Sequence, residues 1–142
     1  LFQQRLGAVI ERDIVGVCES PMVRARQSAT VRLLGRVDDL APFFEARRVF
    51  VVPTRFAAGV PHKAHEAASR GLPMVVSPLL AGRLGWREEL RVGPDAPSFA
   101  EACIKLHETQ ALWQEKREAG LAAVARDCSA DAFARSVREM VR

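Results

Sequence analysis

The chain has 142 residues, 49% of them hydrophobic and 27% charged, which predicts one globular domain over residues 1–142 and excludes a disordered chain. Its net charge is +4 at pH 7, but the basic residues are scattered and there is no tyrosine, so we expect no nucleic-acid partner. No apolar run approaches the roughly 20 residues of a membrane-spanning helix and no signal peptide opens the chain, so we expect a cytoplasmic protein.

The first part of the sequence alternates between helical and strand-like stretches. Apolar residues at helical spacing predict a helix over residues 1–12, and its abrupt start predicts a fragment of a longer protein. The run DIVGVC predicts a strand over residues 13–18, and a second apolar run predicts a strand over residues 31–34 that ends at Gly35. Between these strands, the polar residues 20–30 are expected to form a loop or a short helix.

A helix and a strand are predicted next. Asp38 and Asp39 are typical of a helix start, so we expect a helix over the apolar residues that follow. Arg47 and Arg48 are expected in its last turn, where positive charge interacts favourably with the helix dipole. The valine-rich run that comes after them predicts a strand over residues 49–52.

The middle of the chain predicts a parallel crossover unit. Two short valine-rich runs, residues 49–53 and 73–77, have the length and composition of strands that are buried on both faces. Between them, Gly59 gives a flexible point in the backbone, and Pro61 suits the first turn of a helix. Gly71 predicts the end of that helix. The order is therefore strand, loop, helix and parallel strand.

Residues 77–97 are punctuated by glycine and proline, so we expect an irregular segment there. Within it, residues 90–92 predict a short strand, and Trp86 is expected to pack over the edge of the sheet. We considered the alternative that the sequence GRLGW around Trp86 lines a ligand cleft, and we favour the packing role.

The end of the chain predicts a helical tail over residues 98–142. Ser98, with Glu101 three residues later, has the pattern of a capping box and predicts the start of the first helix. A second helix is expected over residues 110–126, and Ser129 is expected to cap a third.

Strands and helices that alternate at this spacing predict an α/β fold. We expect a Rossmann-like parallel sheet with helices on both faces, followed by the C-terminal helical tail. The dinucleotide fingerprint G-x-G-x-x-G is absent, so the sequence does not support NAD binding. The three cysteines and three histidines lack the spacing of metal ligands. We therefore expect reduced thiols, no metal and no cofactor.

The loop and helix between the two valine-rich strands are the candidate ligand site. In a parallel crossover, the loop after the first strand opens on the ligand side of the sheet, and the helix N-terminus offers free N–H groups to an anion. Lys63 and Glu66 lie three residues apart on one face of this helix, where they suit a phosphate and a sugar hydroxyl. A solvent-exposed Lys–Glu pair without a ligand is the alternative. His62 and His65 are expected to be surface residues.

The order VFVVPTRFAAGVPHKAHEAASRGLPMVVS resembles the nucleotide-sugar-binding half of a GT-B glycosyltransferase and is most similar to family 4. That family shows a strand ending in Val-Pro, a glycine loop, a helix carrying Lys and Glu, and then Gly-x-Pro-Val-Val. Upstream, VRLLGRVDDLAPFFEARRVFVVP resembles the strand, Gly, Val, Asp-Leu and helix of the same family. The resemblance covers the chain from about Val31 to its end.

The resemblance implies one half of a GT-B fold, acting in bacterial glycan biosynthesis as the donor-binding domain of a retaining hexosyltransferase. The implied donor is a UDP-, GDP- or ADP-linked sugar, and the implied partner is an N-terminal acceptor domain of the same protein. Because that domain would carry the acceptor-binding groups, the isolated chain is expected to be inactive. Peripheral membrane contact through basic residues stays open.

The resemblance also implies roles for individual residues, none of them catalytic. Glu66 matches the second of two family glutamates that lie eight residues apart, and it would accept hydrogen bonds from the ribose hydroxyls. The first falls at Ala58, so the carboxylate that would contact the transferred sugar is missing. The N–H groups of Gly59 and Val60 would meet the diphosphate, and Lys63 would add positive charge.

Arg55, which opens the same loop, belongs to this predicted donor site. Two other functions stay open. One is a non-catalytic module that binds a nucleotide or a phosphate, and the other is a structural domain whose arginine-rich face binds a partner protein.

Overall fold

Parallel strands and the helices that connect them form the framework of the chain. The computed structural model describes residues 10–56, 59 and 62–141. In this part of the chain, β1 (Arg12–Val15) pairs in parallel with β2 (Val31–Gly35). A second, three-stranded parallel sheet has the order β3 (Phe50–Val52), β4 (Met74–Val76) and β5 (Arg91–Val92). With the helices given below, this confirms the predicted α/β fold and its C-terminal helical tail.

The chain divides into two compact units, and the first of them ends at Phe43. This unit contains β1, β2 and a short helix α1 (Pro21–Arg24), where the sequence predicted a loop or a short helix. The predicted strand over residues 13–18 ends early, at Val15, because Gly16 takes a φ of 120°. Arg32 of β2 donates two hydrogen bonds, of 2.7 and 3.0 Å, to the carboxylate of Asp13 on β1.

Two predictions near this unit are wrong. Arg12, predicted in a helix, lies in β1, where it pairs opposite Val31; residues 1–9 of the predicted helix lie outside the described residues. Helix α2 (Ala41–Ala46) ends before Arg47 and Arg48, so neither arginine is in its last turn. Arg48 donates instead to the carbonyl oxygen of His107 at 3.0 Å and to the side-chain oxygen of Gln110 at 2.6 Å.

The second unit begins at Phe44 and contains the predicted crossover. β3 leads through a loop to helix α3 (His62–Ser69), and the chain then returns to β4 in parallel with β3. Gly71 ends the helix with a φ of 68°, as the sequence predicted. The N–H of Gly71 donates to the carbonyl oxygen of Ala68 at 2.8 Å, and that of Leu72 donates to Ala67 at 2.9 Å. The prediction for Pro61 lies outside the described residues.

The segment after β4 is more regular than its composition predicted. Helix α4 (Pro78–Leu84) follows β4 directly, and Ser77 caps it by accepting a hydrogen bond from the N–H of Leu80. Proline in the first turn and Gly85 at the end, with a φ of 70°, are normal features of a helix. The expectation of an irregular segment is therefore wrong for these residues.

Three helices complete the chain: α5 (Ala96–Glu108), α6 (Gln110–Asp127) and α7 (Ala130–Met140). The predicted capping box at Ser98 is wrong, because Asp95 is the cap and accepts a hydrogen bond from the N–H of Ser98 at 2.8 Å. The prediction for Ser129 is confirmed, since its hydroxyl accepts from the N–H of Ala132 at 3.2 Å.

The core of the second unit lies around β4, whose three residues are all buried. Helix α3 contributes three buried alanines to it, and the loop after α4 contributes Trp86, which is 2% exposed. The predicted packing role of Trp86 is confirmed. Because the alanines leave little distance between α3 and its neighbours, the helix is held close to the sheet and to α6.

Candidate functional site

The candidate site lies where β3 and β4 end. Because the two strands are parallel, their carboxyl ends meet at one edge of the sheet, and the loops that follow them lie side by side. Ser77 joins these loops: its hydroxyl donates to the carbonyl oxygen of Thr54 at 2.6 Å, and its N–H donates to Val52 at 3.2 Å. The start of the loop that leads to α3 is therefore fixed to the start of α4.

The side chains of Lys63 and Glu66 lie in the first two turns of α3 and remain accessible to solvent. Glu66 pairs with Arg70, one turn later, with 3.5 Å between the guanidinium and the carboxylate. Both side chains are about 40% exposed, so this pair is weak, and a ligand's hydroxyl groups can compete for the carboxylate. Among the residues that the structure describes, Lys63 has no ion-pair partner, so the alternative of a Lys63–Glu66 pair is not found.

The remaining predicted residues belong to the loop before α3. Arg55 and Gly59 are exposed, and no carboxylate in the described ranges pairs with Arg55. Ala58 and Val60 lie outside the described residues. The sequence interpretation missed Phe56, whose side chain is 89% exposed beside Arg55. A large apolar residue in the loop, three residues before Gly59, was the signal that could have identified it.

His65 does not have the surface position that the sequence predicted. It is half-buried, and its ring meets the Trp86 indole edge-on, with ring centroids 5.4 Å apart and planes at 88°. Burial lowers the pKa of His65, the nearby His62 lowers it further, and Asp127 partly opposes them. His65 is therefore neutral at pH 7. His62 is exposed, as expected.

The indole of Trp86 connects His65 to the end of α6. Its N–H donates to a carboxylate oxygen of Asp127 at 2.8 Å. Arg126 donates to both oxygens of the same carboxylate, at 2.7 and 2.8 Å, and lowers the pKa of Asp127. Asp127 is separated from Trp86 by 41 residues, so no local pattern in the sequence predicts the contact.

A cleft of about 440 Å³ lies beside α4, beyond the carboxyl ends of β4 and β5. Its lining consists of small residues and one arginine: Pro78, Ala81, Gly82, Gly85, Arg87 and Val92. Of the predicted donor-binding residues, those that the structure describes (Arg55, Gly59, Lys63 and Glu66) do not line it. Lys63 and Glu66 lie instead on α3, and Arg55 and Gly59 lie in the loop before it.

Other kinds of site have less support. In the ranges that the structure describes, no three His, Cys, Asp or Glu side chains are grouped as metal ligands. Cys18, Cys103 and Cys128 are free, and burial raises the pKa of the Cys103 thiol to about 12. The described helices include none with the length and apolarity needed to cross a membrane.

Comparison with known protein families finds a match over most of the chain. The family model described as "Glycosyl transferases group 1" matches residues 3–109, about three quarters of the chain. The matched range includes β1 to β5, helix α3 and every residue of the predicted donor site. No curated protein matches the chain.

Proposed function

The chain belongs to the glycosyl transferases of group 1, and we propose that the site at the start of α3 binds the nucleotide-sugar donor. A glycosyltransferase-type function follows from the family itself. The observation that supports the location is the position of Glu66: an accessible carboxylate on the helix that follows the carboxyl end of a parallel strand. Ligands of open parallel sheets bind beyond this edge.

Glu66 has the chemistry to hold the ribose of the donor. A carboxylate accepts hydrogen bonds from two neighbouring hydroxyl groups, which is the pattern that a ribose presents. The ion pair with Arg70 does not prevent this, because the pair is exposed and spans 3.5 Å. Ribose binding would exchange a weak contact for charge-assisted hydrogen bonds.

The cations around the start of α3 suit the diphosphate. Lys63 in the first turn of α3 and Arg55 in the loop before it are exposed, and the free N–H groups of a helix's first turn add positive electrostatic potential. In this proposal the N–H groups of Gly59 and Val60 would also meet the diphosphate. When the bond between the sugar's anomeric carbon and the diphosphate oxygen breaks, negative charge grows on the leaving diphosphate. Preorganised positive groups stabilise that charge and so lower the barrier to transfer.

Ala58 limits the contacts that this site can make to the transferred sugar. It stands where the resembling family has a glutamate, so this chain lacks one carboxylate that would contact the transferred sugar. Our proposal is a retaining hexosyl transfer in which this domain binds the donor and stabilises the leaving group. An N-terminal acceptor domain would supply the acceptor and the remaining groups. We therefore expect no transferase activity from residues 1–142 alone, and turnover by the purified fragment with UDP-, GDP- or ADP-glucose would contradict this division of roles.

Substitution of Glu66 tests the ribose assignment. We expect Glu66→Gln to weaken the binding of UDP, GDP or ADP by about tenfold, because hydrogen bonds to a charged acceptor contribute about 1.5–3 kcal/mol. Isothermal titration calorimetry measures the affinity, and a thermal-shift assay identifies which of the three nucleotides binds.

Glu101→Gln is the matched control. Glu101 forms an exposed i,i+4 pair with Lys105 on α5, at 3.3 Å, and so resembles Glu66 in charge, geometry and exposure. Its substitution is expected to leave nucleotide affinity unchanged. Equal affinities for wild type and Glu66→Gln would contradict the ribose assignment, and a wild-type protein that binds none of the three nucleotides would contradict the donor site as a whole.

A further inference from the structure

Helix α3, which carries the proposed donor-binding side chains, packs along α6 with very small residues. Three of its alanines, Ala64, Ala67 and Ala68, are buried. A Cβ atom at Gly120 of α6 would lie 3.8 Å from the Cβ of Ala68, so the two helices are close at this point. Contacts between alanine and glycine residues fix the distance between two helices. Because these residues have so few side-chain atoms, they only weakly resist rotation of one helix about its own axis.

Larger side chains supply that constraint at each end of α3. At its carboxyl end, Arg117 of α6 donates to the carbonyl oxygen of Gly71 at 2.8 Å, while its guanidinium lies 5.6 Å from the ring centre of Trp113. Near its amino end, His65 meets the ring of Trp86, and Trp86 in turn donates to Asp127 of α6. The two anchors on α6, Arg117 and Asp127, lie on either side of its buried residues, Gly120 and Ala123.

We propose that Asp127, acting through Trp86 and His65, is a positioning residue for the donor site. His65 lies between Lys63 and Glu66 in the sequence, so a rotation of α3 that breaks the ring contact also moves both proposed donor-binding groups. The carboxyl end of α6 thereby controls where the ribose and diphosphate contacts form. This inference rests on the proposed function.

Asp127 differs from an ordinary packing residue. Its side chain is 38% exposed, so truncating it opens no cavity in the core, whereas Trp86 is 2% exposed. Its carboxylate is itself fixed by Arg126, whose guanidinium also lies 3.3 Å from Glu89. Arg126 and Asp127, both at the surface of the protein, together fix the direction of the Trp86 indole N–H.

Calorimetric titration of the purified protein with UDP, GDP and ADP tests the proposal. We expect Asp127→Ala to weaken nucleotide binding by about tenfold, because displacing contacts by a fraction of an ångström has effects of this order. Asp127→Asn keeps an acceptor for the indole and is expected to stay within about threefold of wild type. Glu118→Ala removes one exposed carboxylate from the same helix and is the control, with unchanged affinity expected.

A double-mutant cycle separates positioning from general loss of stability. In the Glu66→Gln background, Asp127→Ala is expected to cause a smaller loss of affinity than in wild type, since one of the two groups that it positions is already impaired. A tenfold loss in both backgrounds would overturn the proposal. Should Asp127→Ala fail to fold, Trp86→Phe keeps an aromatic ring against His65 but removes the N–H, and the same loss is expected from it.

The remaining outcomes distinguish the two hypotheses. If wild type binds a nucleotide and both Asp127→Ala and Trp86→Phe bind it equally well, the positioning role is wrong and the donor site stands. If Glu66→Gln loses affinity but Asp127→Asn loses as much as Asp127→Ala, the negative charge and not the hydrogen bond is responsible, which also overturns it. If wild type binds none of the three nucleotides, the donor site fails, and the positioning role fails with it.

Discussion

The two ends of α3 are held by different kinds of contact. At the carboxyl end, the backbone turns through Gly71 with a positive φ, and Arg117 binds its carbonyl oxygen. At the amino end, the helix is accessible to solvent and is fixed by a ring contact from His65 to Trp86. The first end is constrained by backbone geometry, which tolerates few residue types. The second is constrained by side chains that leave the proposed donor-binding groups accessible to solvent. Stability and binding are thus expected to depend on opposite ends of one short helix.

Gly71→Ala is expected to have the largest effect on stability. A φ of 68° costs a residue with a side chain about 1–2 kcal/mol, and the added Cβ would collide with the guanidinium of Arg117. Loss of the hydrogen bond from Arg117 adds about 1 kcal/mol, so the free energy of unfolding should fall by about 2–3 kcal/mol in urea denaturation. Nucleotide affinity, measured well below the melting temperature, should change by less than about threefold.

Gly82→Ala is the control for this substitution. Gly82 lies inside α4, and a Cβ there would meet nothing within 4 Å, so alanine is expected to stabilise the helix by about 0.5–1 kcal/mol. A loss of nucleotide affinity in Gly71→Ala as large as that expected for Asp127→Ala would show that both ends of α3 control binding, and the comparison would then be wrong.

Ser77→Ala is expected to have an intermediate effect. Ser77 both caps α4 and donates to the carbonyl oxygen of Thr54, which fixes the start of the loop before α3. Loss of both contacts should reduce the free energy of unfolding by about 1–2 kcal/mol. Ser129→Ala removes a cap from α7, and the described contacts of Ser129 include no bond to a neighbouring loop. The free energy of unfolding should therefore fall less in Ser129→Ala than in Ser77→Ala. Equal losses would show that the bond to Thr54 contributes nothing to stability.

The same contrast explains how far the sequence could predict the structure. Gly71, the strand β4 and the cap at Ser129 depend on local signals, and all three were predicted correctly. Helix α4 was missed because Pro78 and Gly85 were interpreted as breaks, although these residue types also begin and end helices. At α5, the prediction named Ser98 as the cap, whereas Asp95, three residues upstream, is the cap.

In the candidate site, too, local positions could be predicted from the sequence and contacts between distant residues could not. The positions of Lys63 and Glu66 on a helix follow from spacing alone, and the structure places both there. The burial of His65 was not predictable, because it depends on Trp86, and the direction of Trp86 depends in turn on Asp127. Contacts between distant parts of the chain leave no periodic pattern in the sequence, whereas a position that must adopt a positive φ is marked by its residue type, usually glycine.

The smallest expected effect is the change in stability with pH that comes from His65, near the amino end of α3. Burial lowers the pKa of His65 below its ordinary value of 6.5, so between these two pKa values the unfolded chain binds a proton that the folded chain does not. Stability therefore falls as the pH drops below about 6.5 toward the lower pKa of the folded state. Urea denaturation at pH 7.0 and 5.5 should show this loss in wild type and a smaller loss in His65→Gln.

The choice of pH range isolates the histidine from the nearby carboxylates. The pKa values of Asp127 and Glu89 are lowered from ordinary values of 3.8 and 4.5, so their contributions to stability are lost only at lower pH. His107→Gln, which removes an exposed imidazole from α5, is the control for the loss of a histidine. If His65→Gln and His107→Gln lose as much stability as wild type between pH 7.0 and 5.5, then protonation of His65 is tolerated in the folded state. The contact with Trp86 would in that case be too loose to fix the rotation of α3, and the amino end of the helix would be held by its alanines alone.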